Sequence, residues 1–180
     1  MKKIIFSIGI PGTGKSTVLK KFAEKYGYDY VCPDDIRQEI NGDPKSQANM
    51  SQVWETAYAR LKNGINHNRN VVFDSTMARQ IDRENFLRFA QDSGAEKIQG
   101  LYFQVPLNLA KERNASRGRV VPEFVLDRMY NALNEQPPSS DEGIHSLFIM
   151  NEDGGISRIE RINSIENQQM IERERPSSIE

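Results

Sequence analysis

Lys3-Ile4-Ile5-Phe6-Ser7-Ile8-Gly9-Ile10-Pro11-Gly12-Thr13-Gly14-Lys15-Ser16-Thr17 runs an apolar segment straight into a glycine-rich loop. From Gly9 to Ser16 the loop fits the phosphate-binding pattern G-x-x-x-x-G-K-[ST] at every specified position. Each residue type has a chemical reason to be there. The glycines let the backbone curl so that successive N–H groups point at phosphate oxygens, Lys15 adds a mobile positive charge, and the Ser16 hydroxyl can ligate Mg²⁺. The run before the loop reads as a strand buried on both faces. Beyond it, Val18, Leu19, Phe22 and Tyr26 recur at helical spacing until Gly27 supplies a stop. A strand before and a helix after argue against an ordinary glycine-rich turn and for a bound nucleoside triphosphate; with the kinase reading reached below, ATP with Mg²⁺ is expected.

Working outward, Tyr28–Cys32 reads as a second strand, and Pro33-Asp34-Asp35 opens a helix to about Ile40 before Gly42-Asp43-Pro44 breaks it. A longer helix is expected from Gln47 to Asn66, then a strand at Asn70–Phe73, a helix at Asp82–Asp92 and a strand at Lys97–Val105. A helix at Leu107–Ser116, an Arg-Gly-Arg loop and a helix opened by Pro122-Glu123 follow. The polar loop Gln136–Gly143 leads to an antiparallel pair, Ser146–Met150 and Ile156–Ile162, around Asn151–Gly155. Alternating strands and helices predict an α/β fold, a parallel sheet flanked by helices, with ligands beyond the carboxyl ends of the strands. Residues 1–163 are expected to form one P-loop kinase-type domain, and 164–180 a polar C-terminal tail.

Composition narrows the function. Lys and Arg number 24 against 25 Asp and Glu, for a net charge of −1, so a broad basic face of the kind that coats long nucleic acid is not expected. One segment is locally basic: Lys111, Arg113, Arg117 and Arg119 stand against Glu112 alone. Cys32 is the only cysteine, which excludes an intramolecular disulfide and suits a reducing compartment. No run approaches the ~20 apolar residues of a membrane helix. A soluble, cytoplasmic protein without a membrane partner is expected.

The strand-end rule brings three segments to one edge: the loop after strand 1, Asp34 after strand 2 and Asp74 after strand 3. Asp74 ends Val71-Val72-Phe73, an apolar strand plus acid that can hold Mg²⁺ or its waters, or simply cap a turn. Ser75 rather than Glu follows it, which favours transfer over hydrolysis. Asp34 and Asp35 could be helix caps, yet a kinase acting on a hydroxyl profits from a carboxylate at the acceptor oxygen. Arg37 lies one turn on, on the same helical face as Asp34, as an acceptor grip or a local surface pair. Arg113 and Arg117, four apart, read either as lid arginines for the transferred phosphate or as a solvated basic helix end. Trp54 and Tyr58 could stack on a base, although their stripe with Leu61 and Ile65 reads better as core. His67 and His145 have no partner at metal-ligand spacing.

These motifs resemble the polynucleotide 5′-hydroxyl kinase family. Gly9-x-Pro11-Gly12-x-Gly14-Lys15-Ser16-Thr17, Asp34-Asp35-x-Arg37-Gln38, Val105-Pro106, Arg113-Asn114-x-x-Arg117-Gly118, Val121-Pro122 and Val125-Leu126-x-x-Met129-Tyr130 follow the kinase domain of the T-even phage enzyme in order. Gln136-Pro137-Pro138 to Asp141-Glu142-Gly143 is similar to the end of that domain in eukaryotic polynucleotide kinase phosphatases. The resemblance implies nucleotide-binding roles for Gly9, Pro11, Gly12, Thr13, Gly14, Lys15, Ser16, Thr17 and Arg113. It makes Lys15, Asp34 and Arg117 catalytic, with Asp34 the general base and Arg117 the transition-state arginine. Arg37 becomes the acceptor-phosphate ligand, with Ser16 and Asp74 at the metal. The phage protein has Asp-Thr-Asn after strand 3, whereas Asp74-Ser75-Thr76-Met77 carries its acid one residue earlier. The D-x-D-G-T phosphatase motif is absent, so phosphorylation of 5′-hydroxyl ends of DNA or RNA is expected without removal of 3′ phosphates. A P-loop kinase for a small molecule and a nucleotide-dependent ATPase are the rival readings.

Overall fold

In the computed structural model, residues 2–43 and 46–159 are described. The opening segment forms β1 (Lys3–Ile8), in which Ile4, Phe6, Ser7 and Ile8 are all buried. The loop delivers the chain to α1 (Lys15–Tyr26), entered through Gly14 at φ 90° and closed by Gly27, whose amide donates to the Ala23 carbonyl. A left-handed residue at each end is inexpensive only for glycine. β2 (Asp29–Val31) and α2 (Pro33–Asn41) follow, the helix starting on Pro33 with Asp34 and Asp35 in its first turn. Neither acid caps it: Cys32 is the cap residue and no side chain bonds the free amides. α3 (Met50–Asn66) begins three residues later than expected, because Asn49 is left-handed at φ 53°.

β3 (Val71–Phe73), α4 (Gln80–Asp92), β4 (Lys97–Phe103), α5 (Leu107–Ala115) and α6 (Glu123–Glu135) complete the alternation. β5 (Ser146–Met150) and β6 (Ile156–Ile159) close it. The six strands stand in the order β2-β3-β1-β4-β5-β6, parallel except for β6, which pairs antiparallel with β5 through the expected Asn151–Gly155 turn. The mixed α/β fold with helices on the sheet is as the alternation requires. The proposed end of the last strand beyond Ile159, the 163/164 boundary and the tail lie outside the described residues. Among the described residues, no helix is long and apolar enough to cross a membrane.

Sheet and helices are welded by aromatic rings: Phe86 lies 5.0 Å from Phe6 and 4.8 Å from Phe73, and Tyr58 lies 4.5 Å from Phe89. A thinner layer of Leu19, Ala23 and Val72 seats α1 on the opposite face.

The segment Gln136–Gly143, expected as a polar loop, connects α6 to β5 and carries a short ordered turn within it. Ser140–Glu142 forms a 3₁₀ turn capped by Ser139, and Pro138 and Ser140 are buried. Its anchor is Arg83, fully buried within α4. The guanidinium forks onto Glu142 (Nε to Oε2 2.7 Å, Nη2 to Oε1 2.8 Å) and donates to the Ala78 and Gln136 carbonyls at 3.0 and 2.9 Å. Because all its donors point inward, removing one partner strands a buried charge. Glu142→Gln is expected to cost about 3–5 kcal/mol in urea unfolding. Arg83→Met with Glu142→Leu should recover much of that, since the pair as a whole contributes little net stability.

Candidate active site

The carboxyl ends of β1, β2 and β3 open together into a cleft of about 1360 Å³, closed on its far side by α5, α6 and the loop between them. Pro11, Gly12, Gly14, Lys15, Ser16 and Thr17 line it from the loop, Asp34 and Arg37 from α2, and Asp74 from the end of β3. Arg113 and Arg117 line it from the opposite wall. Gly9 and Thr13 do not face the cleft and are buried behind it. The Gly9 amide donates to the Thr76 carbonyl at 2.9 Å, and the Thr13 hydroxyl donates to the Ile10 carbonyl at 2.9 Å. Both shape the loop from within.

Close approach decides the identity of Gly12. It sits at φ 88°, and a Cβ there would stand 2.2 Å from the Ala110 carbonyl oxygen of α5. Lys15 folds back on its own loop, Nζ donating to the Ile10 carbonyl at 2.7 Å. Burial lowers its pKa to about 8; the Asp74 carboxylate opposes the fall and the charge of Arg117 adds to it. A polyphosphate entering the loop would oppose the desolvation and hold the ammonium charged.

Asp74 is 4% exposed, and its oxygens take hydrogen bonds from Ser7 Oγ at 3.1 Å and Tyr30 Oη at 2.5 Å. It therefore faces the cleft as an oriented acceptor rather than a turn cap. Burial, and next the Asp74 charge, pushes the Tyr30 phenol up, so it remains a donor. Burial first, with Asp74, also pushes the Cys32 thiol up to about 12, keeping it inert at neutral pH. No group of three or more His, Cys, Asp or Glu among the described residues could cage a metal. Ser16 and Asp74 nevertheless suit Mg²⁺, which keeps several waters and is usually held by one or two carboxylates plus substrate phosphates.

The two acids of α2 separate in role. Asp35 pairs outward with Lys20 at 3.0 Å. Asp34 is gripped on both oxygens: Arg37 Nη1 lies 2.9 Å from Oδ1, and Arg119 Nη1 lies 2.5 Å from Oδ2. Arg37 is buried, whereas the Asp34 side chain it holds is half exposed at the cleft. Arg119 reaches in from the loop 116–122, which Asn114 pins by bonding both the carbonyl and the amide of Val121, at 2.8 and 3.1 Å. Lys111 ties α5 to α6 through Asp127 at 2.7 Å. Arg113 and Arg117 stand exposed.

Sequence reading had found no role for Ser7, Tyr30 or Arg119. Ser7 left a signal as the polar residue in an apolar strand; Arg119 showed only as one more charge in a basic segment; Tyr30 showed nothing. Trp54 and Tyr58 pack half-buried against the core, as their stripe suggested, and both also line the cleft.

Comparison with known proteins adds the family. A family model described as an AAA domain matches residues 4–136. The L-seryl-tRNA(Sec) kinase of Methanococcus maripaludis is 26% identical over 136 residues, covering 71% of this chain and 51% of that protein. A bifunctional polynucleotide phosphatase/kinase of Acanthamoeba polyphaga mimivirus is 27% identical over 134 residues, covering 72% and 28%. The chain thus spans about half of the first relative and under a third of the second. A sugar kinase structure from Janibacter sp. HTCC2649 superposes with a TM-score of 0.62 at 16% identity, covering 96% of this chain and 92% of that one. The fold is that of P-loop kinases, and the three names carry three different acceptors.

Proposed function

The chain belongs to the AAA domain family, and from that premise we propose that it is a kinase that transfers the γ-phosphate of ATP to the 5′-hydroxyl end of DNA or RNA. The observation that carries this reading is the position of Asp34, a carboxylate bracketed by arginines in the same cleft as the phosphate loop. This cleft offers an acid beside cationic groups, which suits an acceptor whose hydroxyl lies near a phosphate. The mimivirus relative supports the acceptor, as do the motifs quoted from the sequence.

The loop from Gly9 to Thr17 holds the triphosphate, with Lys15 on the transferred end and Arg113 on the donor phosphates. Asp34 takes the proton of the acceptor hydroxyl as its oxygen forms a bond to the γ-phosphorus. The bond from that phosphorus to the bridging oxygen breaks, and ADP leaves with the electron pair. Arg117 stabilises charge on the transferred group, while Arg37 holds the acceptor. Ser16 and Asp74 would hold Mg²⁺, which when bound neutralises charge on the phosphates.

Incubation with γ-labelled ATP, Mg²⁺ and 5′-hydroxyl DNA and RNA oligonucleotides is expected to label the 5′ ends. Label appearing on a panel of sugars, nucleosides and antibiotics but on no oligonucleotide would move the reading to a small-molecule kinase. Steady release of phosphate without any acceptor would make it an ATPase.

A further inference from the structure

We propose that Arg83 is a positioning residue for the acceptor: it holds Met77 in a strained backbone conformation and ties two walls of the cleft together. This rests on the kinase reading above. The strain lies at Met77, whose φ is 46°. Asn49 and Asn68 are the other non-glycine residues with positive φ among the described residues, and asparagine enters the left-handed region readily. Methionine does not, and the preference against it is roughly 5- to 30-fold. A bulky residue stays there only where its surroundings impose it, and such residues gather at functional sites.

Met77 is the joint between two fixed bodies. Upstream, the chain is fastened to β1 and the phosphate loop. The Ser75 amide donates to Ser7 Oγ at 3.0 Å, Ser7 Oγ lies 2.7 Å from the Ser75 carbonyl, and the Gly9 amide donates to the Thr76 carbonyl at 2.9 Å. Downstream, Arg83 Nη1 donates to the Met77 and Ala78 carbonyls at 3.3 and 3.0 Å. With Thr76 held, a Met77 that relaxed out of the left-handed region would swing Ala78 and Arg79, which line the cleft, and leave the loop in place.

The other arm of the guanidinium fixes the facing wall. Nη2 donates at 2.9 Å to the carbonyl of Gln136, the residue that closes α6. That helix lines the cleft with Val125, Arg128, Met129 and Ala132. Arg83 thus runs from the end of α6 to the joint at Met77 and sets the spacing of two walls, neither of which belongs to the loop that holds the triphosphate. Glu142 aims it and is itself held, its side chain 6% exposed and its Oε1 taking the Ser139 amide at 3.3 Å. An ion pair present only for stability is replaceable by apolar residues. An apolar pair has no rigid fork of donors to reach the carbonyls of both walls at once.

The test uses the double variant R83M/E142L, chosen because it keeps the fold without the fork. Its kcat/KM for a 5′-hydroxyl oligonucleotide should fall about 10- to 100-fold, the scale of a small misplacement set far from the chemistry, while the Kd of ADP stays within about twofold of the wild type. A cycle with Met77→Gly isolates the strain. Glycine adopts a positive φ freely, so R83M/E142L should cost the acceptor several times less in the M77G background than in the wild type. Arg83→Lys, which keeps the charge without the fork, carries the same comparisons if the double variant melts below the assay temperature. An acceptor kcat/KM within about twofold of the wild type, an equal loss of ADP affinity, or the same factor in both Met77 backgrounds overturns the assignment. Wild-type protein that labels no oligonucleotide removes the kinase reading, and this inference with it, before any variant is made.

Discussion

Replacing Arg117 by alanine is expected to lower the rate of transfer by about 10³- to 10⁵-fold at saturating substrates, the range an arginine supplied to a transferring phosphoryl group commands. The side chain is exposed on the loop after α5, faces the cleft, and lies near enough to Lys15 for its charge to oppose that of the ammonium. An exposed arginine adds little to the fold, so the melting temperature of R117A should stay close to that of the wild type. Nucleotide affinity should change only severalfold, because the interaction matters most when charge builds on the equatorial oxygens. Single-turnover transfer and nucleotide titration measure these separately. If R117A transfers phosphate at the wild-type rate, the residue is merely part of a solvated basic helix end.

Asp34→Asn should lower transfer by about 10²- to 10⁴-fold, the span of a positioned general base. The amide keeps the shape of the carboxylate but can neither take the proton nor accept both arginines, since one of its two heavy atoms is a donor. Two consequences separate in measurement. Loss of the base lowers the chemical step, while release of Arg119 alters acceptor binding, so kcat and the acceptor KM should both change. ATP binding, governed by the loop across the cleft, should persist. A fully active D34N would remove Asp34 from the chemistry and leave the bracket of arginines as an anion site only.

Much of the frame was legible because its signals are local. The apolar run from Lys3 to Ile8, the stripe Val53-Ala57-Leu61-Ile65 and the stops at Gly27 and Gly42 each act over a few residues, and the elements they mark are present. The rule that ligands gather at strand ends brought the phosphate loop, Asp34 and Asp74 to one edge without any knowledge of side-chain geometry. Partnerships across long separations were hidden. Nothing near Asp34 announces that Arg119 will meet it, and nothing near Arg83 announces Glu142. Arg83 interrupts the apolar face of α4 and reads as a solvated residue, because periodicity counts charge as outward-facing. The capped turn at Ser140–Glu142 was obscured by its composition: serines, prolines and acids suggest a loop, and only the burial of Pro138 and Ser140 shows otherwise.

The Arg83 pair also sets a clock on synthesis. Arg83 precedes Glu142 by 59 residues, an interval of roughly 3–12 seconds at common rates of translation. Until the later residue emerges, the guanidinium has no carboxylate to turn to, and the Met77-Ala78 wall of the cleft lacks the full brace that holds it. A nascent chain stopped at residue 136, where the family match ends, would carry the phosphate loop, the acid and the arginine lid, with Arg83 holding the Ala78 carbonyl but lacking its carboxylate partner.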